Sequence, residues 1–152
     1  MNHLYQINSS KGGVPKLPVE TALITYNGLD GDIQKDKRYH GGPNRAISLF
    51  SYQLIEKIRA EGHPIYPGST GENLTLWFPN YEQIAIGDKL QIGNKVILQI
   101  TSYAAPCKTI KNSFLNEIFI RISHKVYPNQ SRLYTKVLVE GEIKKSDSVY
   151  II

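Results

Sequence analysis

Lys89-Leu90-Gln91-Ile92-Gly93-Asn94-Lys95-Val96-Ile97-Leu98-Gln99-Ile100 is the stretch on which the class of fold turns. Two runs rich in β-forming residues flank Gly93-Asn94, and those two residue types tolerate the positive φ angles of a tight two-residue turn. The sequence therefore predicts a β-hairpin over 89–100. In its second arm Val96, Leu98 and Ile100 recur at alternate positions, which places them on one face of a strand with a core beneath it.

Outward from the hairpin the same punctuation repeats. Leu4 to Ile7, Thr21 to Tyr26, Ala46 to Phe50, Leu74 to Phe78, Tyr134 to Val139 and Val149 to Ile152 are further short strand-like runs between turns. Many short strands in succession predict a mainly-β barrel or sandwich with few helices, not a parallel α/β sheet. Two segments read as helical and as packing against the sheet. Ser51 can cap a helix whose Leu54, Ile55 and Ile58 form a stripe, stopping at Gly62 ahead of Pro64. Phe114, Leu115, Ile118, Phe119 and Ile122 fall at helical spacing across about 112–123.

A chain of 152 residues can bury a sizeable core, and residues 1–152 read as one domain without repeat or linker. With 41% hydrophobic and 20% charged residues it is too apolar for disorder. Its longest apolar runs fall well short of the ~20 residues that cross a bilayer, and Met1-Asn2-His3 does not open a signal pattern. A cytoplasmic protein without membrane contact is expected. One cysteine excludes an internal disulfide, so that thiol is either packing or chemistry. The net charge of +5 suits an anionic ligand such as a phosphate, or nucleic acid, without choosing between them.

Three groups can carry chemistry. Cys107 sits in Ala105-Pro106-Cys107-Lys108-Thr109, after a strand and before a helical segment. The helix start and Lys108 both favour the thiolate, the form that attacks electrophiles and binds soft metals; the alternative is a small buried hydrophobe. In Arg38-Tyr39-His40-Gly41-Gly42-Pro43-Asn44-Arg45 the glycines let backbone amides approach a ligand, and Arg38 and Arg45 can fork onto phosphate or carboxylate oxygens. His40 is a proton donor, a metal ligand or a hydrogen-bonded turn residue. Pro67-Gly68-Ser69-Thr70-Gly71-Glu72-Asn73-Leu74 is a second glycine-bearing loop, with Glu72 and Asn73 placed to orient a ligand or to tie the loop. No CxxC, HExxH, GxSxG, Walker or dinucleotide fingerprint occurs.

Taken in order, Gly28-Leu29-Asp30-Gly31-Asp32, His40-Gly41-Gly42-Pro43 with Arg45-Ala46, Glu61-Gly62-His63-Pro64, Pro67-Gly68, Gly71-Glu72-Asn73-Leu74-Thr75, Ile86-Gly87-Asp88, Pro106-Cys107 and Tyr134 to Val137 with Gly141 and Asp147 resemble the MOSC family, named for the C-terminal domain of molybdenum cofactor sulfurase. The resemblance is to stand-alone bacterial members of the hydroxylaminopurine-resistance type. It implies a closed or partly closed β-barrel with a few short helices, and a molybdenum cofactor (molybdopterin) whose metal is held by Cys107. Pyridoxal phosphate is a further ligand it admits. It assigns Cys107 as metal ligand or persulfide carrier and His40, beside Gly41 and Gly42, as a catalytic pocket residue. Lys16, Gly41, Gly42, Arg45, Asn73 and Arg132 become the implied cofactor contacts. Ala104, Leu133 and Lys136 depart from the commoner pattern of arginine, tryptophan and arginine.

Three functions follow. In the first, a molybdenum-dependent oxidoreductase reduces N-hydroxylated small molecules, drawing electrons from a separate donor protein because the chain has no flavin, haem or iron–sulfur motif of its own. In the second, Cys107 accepts sulfur from a cysteine desulfurase as a persulfide and passes it to a metal or cofactor. In the third, a non-catalytic β-barrel binds nucleic acid through its basic surface and tyrosines.

Overall fold

The computed structural model describes residues 1–33 and 42–152. Its strands are β1 (His3–Ser9), β2 (Leu17–Val19), β3 (Thr21–Thr25), β4 (Gly28–Leu29), β5 (Ile47–Ser51), β6 (Leu74–Trp77), β7 (Lys89–Ile92), β8 (Val96–Tyr103), β9 (Leu133–Val139), β10 (Gly141–Lys144) and β11 (Val149–Ile151). Eight of them form one sheet in the order β11-β7-β8-β9-β5-β6-β1-β2, and β10-β3-β4 form a second. The mainly-β expectation holds. Among the described residues neither sheet closes on itself, because pairing stops at β11 and β2 in one and at β10 and β4 in the other; the closed barrel is not what the ladders form. No helix among the described residues is long and apolar enough to cross a membrane.

The decisive hairpin is present, with Lys89 opposite Gln99 and Ile92 opposite Val96. Its connection takes in Gly93, Asn94 and Lys95, one residue more than predicted, and of these only Gly93 has positive φ, at 61°. Val96, Leu98 and Ile100 are buried, as their alternation requires. At the centre of the sheet β5 is buried at every position, antiparallel to β9 on one side and parallel to β6 on the other. That parallel pair, within a sheet otherwise paired antiparallel, is joined by a crossover containing α1 (Tyr52–Ala60).

Ser51 caps α1: its Oγ accepts the Leu54 N–H at 3.1 Å, and Leu54, Ile55 and Ile58 turn into the core. Ser51 is fully buried, so the orphaned amide could not turn to water in its place. Ser51→Ala is expected to lower unfolding free energy by about 1 kcal/mol, read from the urea midpoint at unchanged slope.

The predicted second helix does not form. Residues 108–122 make three short 3-10 turns instead, Lys108–Ser113, Leu115–Glu117 and Phe119–Ile122. Asn116 and Glu117 adopt left-handed φ of 54° and 59°, which ends any α-helical ladder there. The apolar residues consequently scatter: Phe114 and Ile122 are buried, whereas Leu115 and Ile118 face solvent. Arg121, itself buried, forks onto both Glu61 oxygens at 2.7 and 2.9 Å and so fastens the last turn to the end of α1. That guanidinium holds the Glu61 carboxyl below its ordinary range.

Candidate functional site

A cleft of about 490 Å³ opens where β6 and β9 begin and β8 ends. Cys107, Arg45, Asn73, Arg132 and Lys16 all line it, so five of the residues picked out in the sequence converge. His40 and Gly41 lie outside the described residues. Gly42, exposed and at φ 82°, is not part of the lining; its carbonyl accepts the Arg45 N–H at 3.0 Å and shapes the Pro43–Arg45 turn that presents Arg45.

Cys107 follows Pro106 in extended backbone and precedes a six-residue 3-10 turn, with its side chain half-buried in the cleft wall. Its Sγ is 2.9 Å from the Thr109 hydroxyl, a hydrogen bond in which either atom can donate. The thiol is therefore reachable and polar in its surroundings. The packing alternative, a sealed small hydrophobe, does not describe this site.

Arg132 is 5% exposed. Its terminal nitrogens donate to the Thr70 carbonyl at 2.7 Å and the Ala105 carbonyl at 3.4 Å, and Nε has no acceptor among the described residues. No described carboxylate pairs with it. Among the described residues its side chain donates only to carbonyls, and a buried guanidinium with no anion beside it attracts one into the cleft. Arg45 stands 5.4 Å from the ring centre of Tyr134, a second cation on the same wall. Burial pushes the Tyr134 hydroxyl above its usual range, with Arg132 and Arg45 pulling the other way and Cys107 pushing up.

Lys16 and Asn73, both in the lining, also make hydrogen bonds within the protein. Lys16 Nζ lies 2.5 Å from Asp32 Oδ2, both side chains buried, so its charge is met inside the protein. Asn73 donates to the same Asp32 oxygen at 3.1 Å and accepts from the Ser48 amide and hydroxyl at 3.0 and 3.2 Å. Both ends of its amide brace the wall. Glu72 likewise ties its loop: the carboxylate accepts from Thr70 Oγ1 at 2.8 Å, Thr75 Oγ1 at 2.9 Å and the Gly68 amide at 3.1 Å. Its burial raises the carboxyl above the usual range, more than these hydrogen bonds lower it. Gly68 is forced by crowding as well as by its φ of 86°, since a Cβ there would stand 2.4 Å from the Lys16 carbonyl.

Sequence reasoning missed Tyr103, Ser48 and Ile33 as lining residues, and Tyr134 was seen only as a piece of a longer motif. A partial signal existed in Cys107-x-Thr109, whose spacing lets the hydroxyl reach back to the sulfur. Lys136 lies in a neighbouring groove of about 500 Å³ that shares Arg45 with the cleft, so it does not replace an arginine inside the cleft itself.

Residues 36–150 match the family model described as the MOSC domain. The chain is 26% identical over 145 residues to YflK of Bacillus subtilis (strain 168), covering 92% of this chain and 63% of that protein. It is 26% identical over 117 residues to a protein of Gibberella moniliformis named reductase, covering 74% of this chain but 20% of that one. The chain thus spans less than two thirds of the length of either relative. Among solved structures it resembles YiiM from Geobacillus stearothermophilus, with TM-score 0.74 and 20% identity over all of this chain and 75% of that one. Its fold is thus that of YiiM, and the match over residues 36–150, Cys107 included, shows that the chain belongs to the MOSC domain family.

Proposed function

We propose that the cleft binds a molybdenum cofactor through Cys107 and reduces N-hydroxylated small molecules, with electrons from a separate donor protein. The observation that carries this reading is Arg132, a buried guanidinium without a carboxylate among the described residues, in the same cleft as a reachable thiol. The donor set fits the group: sulfur is a soft ligand suited to molybdenum, and Arg132 with Arg45 suits the anionic part of a pterin phosphate. The relative named reductase supports the redox direction.

When bound, the cofactor supplies two electrons to an N–O bond, and with two protons the products are the amine and water. The protein's own residues prepare the site for it. Cys107 Sγ would hold the metal, and Arg132, locked by the Thr70 and Ala105 carbonyls, presents a fixed positive charge. Burial keeps the Tyr134 Oη protonated, so the wall offers a neutral hydroxyl at physiological pH. The Lys16–Asp32–Asn73–Ser48 chain ties Lys16, Ser48 and Asn73 of the lining to one another.

Protein purified from a host that makes the cofactor is expected to contain near-stoichiometric molybdenum and pterin, and to reduce an N-hydroxylated compound when given a chemical or protein electron donor. Absence of both metal and turnover in such a preparation overturns the reading. A second reading, sulfur carriage as a Cys107 persulfide, is favoured by the accessibility of Sγ and its contact with the Thr109 hydroxyl.

A further inference from the structure

The outer end of the cleft wall is a stacked aromatic pair. Tyr103, the last residue of β8, lines the cleft, and His124 lies against its ring with centroids 3.5 Å apart and planes within 6°. The imidazole is itself fixed, because Nδ1 accepts the Asn129 N–H at 2.9 Å, which leaves Nε2 to carry the proton of the neutral ring. A register shift between Ile100 and Ser102 resets the side-chain alternation of β8 just before Tyr103, and such a bulge re-aims the side chains that follow it. Tyr103 is thus held from behind while remaining half-buried at the cleft. Val14, Ile33 and Pro106 add apolar surface to the lining of the same cleft.

We propose that Tyr103, backed by His124, is a stacking platform that selects substrates carrying a flat ring over aliphatic ones. The inference rests on the reductase reading for the name "substrate" and extends it to substrate class. A phenol already stacked on one partner extends that stack to a second ring at little entropic cost, since neither Tyr103 nor its backing ring has to be ordered on binding. Base–aromatic stacking, where measured by removal of the platform, is sequence-tolerant because every such ring has a π face. Tyr103 therefore selects by flatness and not by a particular edge pattern.

The test is calorimetric titration of the purified holoprotein with benzhydroxamate and acetohydroxamate, which share the hydroxamate head and differ in the ring. The unmodified protein is expected to prefer benzhydroxamate by about tenfold or more, equivalent to ~1.4 kcal/mol. Tyr103→Leu keeps apolar bulk but removes the π face, and the preference is expected to fall below about threefold on the same scale. Tyr103→Phe keeps it. His124→Gln, which removes the backing ring, lowers it in part. An unchanged preference in a folded Tyr103→Leu protein, or no preference in the unmodified one, overturns the proposal. A flat ring also occurs in the pterin, so pterin content is measured in parallel: loss of pterin from Tyr103→Leu with the ring preference intact moves the platform to the cofactor and overturns the substrate assignment. Because binding is read independently of turnover, ring preference without any reduction leaves this inference standing while the reductase reading fails.

Discussion

Cys107→Ser is expected to leave the fold intact and to lower retained molybdenum, with any reduction that depends on it, by at least about 100-fold. Loss of residues that only support a metal ligand costs 10–100-fold, and removal of the ligand itself costs more. Serine matches cysteine in size, so the half-buried position is refilled without a cavity, and stability should shift by no more than about 0.5 kcal/mol. The chemistry changes far more than the shape. A thiol loses its proton within reach of neutral pH and gives a polarisable sulfur donor, whereas a serine hydroxyl does neither. Metal analysis of the two proteins, prepared side by side, is the check, and equal molybdenum content removes Cys107 from the ligand role. The same pair separates the sulfur-carrier reading. After incubation with a cysteine desulfurase and cysteine, intact-mass spectrometry should show one added sulfur on the unmodified protein and none on the serine variant. A protein that holds no molybdenum but gains sulfur is a carrier.

The largest effect on stability is expected at Glu72. Glu72→Ala should cost about 3 kcal/mol, lowering the melting temperature by about 6–12 °C for a chain of this size. The carboxylate is fully buried and is the acceptor for the Thr70 and Thr75 hydroxyls and the Gly68 amide. Truncation leaves those three donors without a partner as well as a void. Damage should spread to the cleft, because the Thr70 carbonyl is the acceptor that holds Arg132. Glu72→Gln keeps one acceptor oxygen and should lose much less.

The glutamine variant also reveals the titration. The folded carboxyl is raised above its unfolded value of 4.5, so the folded state binds the proton more tightly. The contribution of Glu72 is fully present below that unfolded value and declines as pH rises through the raised folded one. Stability of the native protein relative to Glu72→Gln is therefore expected to be greatest near pH 4 and to fall as the pH is raised, as measured by urea melts across that range. A difference that grows with pH instead reverses the assignment.

How far the sequence could be read depended on how local the cause was. Alternation in Val96, Leu98 and Ile100 required only a period of two, and the buried face agrees. Ser51 reaches an amide three residues away, so its cap was legible. The stripe at 112–123 failed for the complementary reason: its spacing is helical, but left-handed Asn116 and Glu117 and the Arg121–Glu61 fork, which spans 60 residues, impose separate turns. Lys16 was legible as a cation near the site and illegible as one already neutralised, because Asp32 meets it only in the folded chain.

The residue order alone determined that the protein is mainly β, that Ser51 caps α1, and that Cys107 is the thiol around which any soft-metal or sulfur chemistry must be arranged. These follow from backbone periodicity, a short-range cap and the presence of one thiol. Only the tertiary structure decided that the large sheet stays open among the described residues, that Asn73 and Glu72 brace their loop, and that Arg132, without a carboxylate partner among those residues, lines the same cleft as the thiol. Charge compensation and cleft shape depend on which distant side chains meet, and that is set by strand pairing across the sheet, not by spacing along the chain.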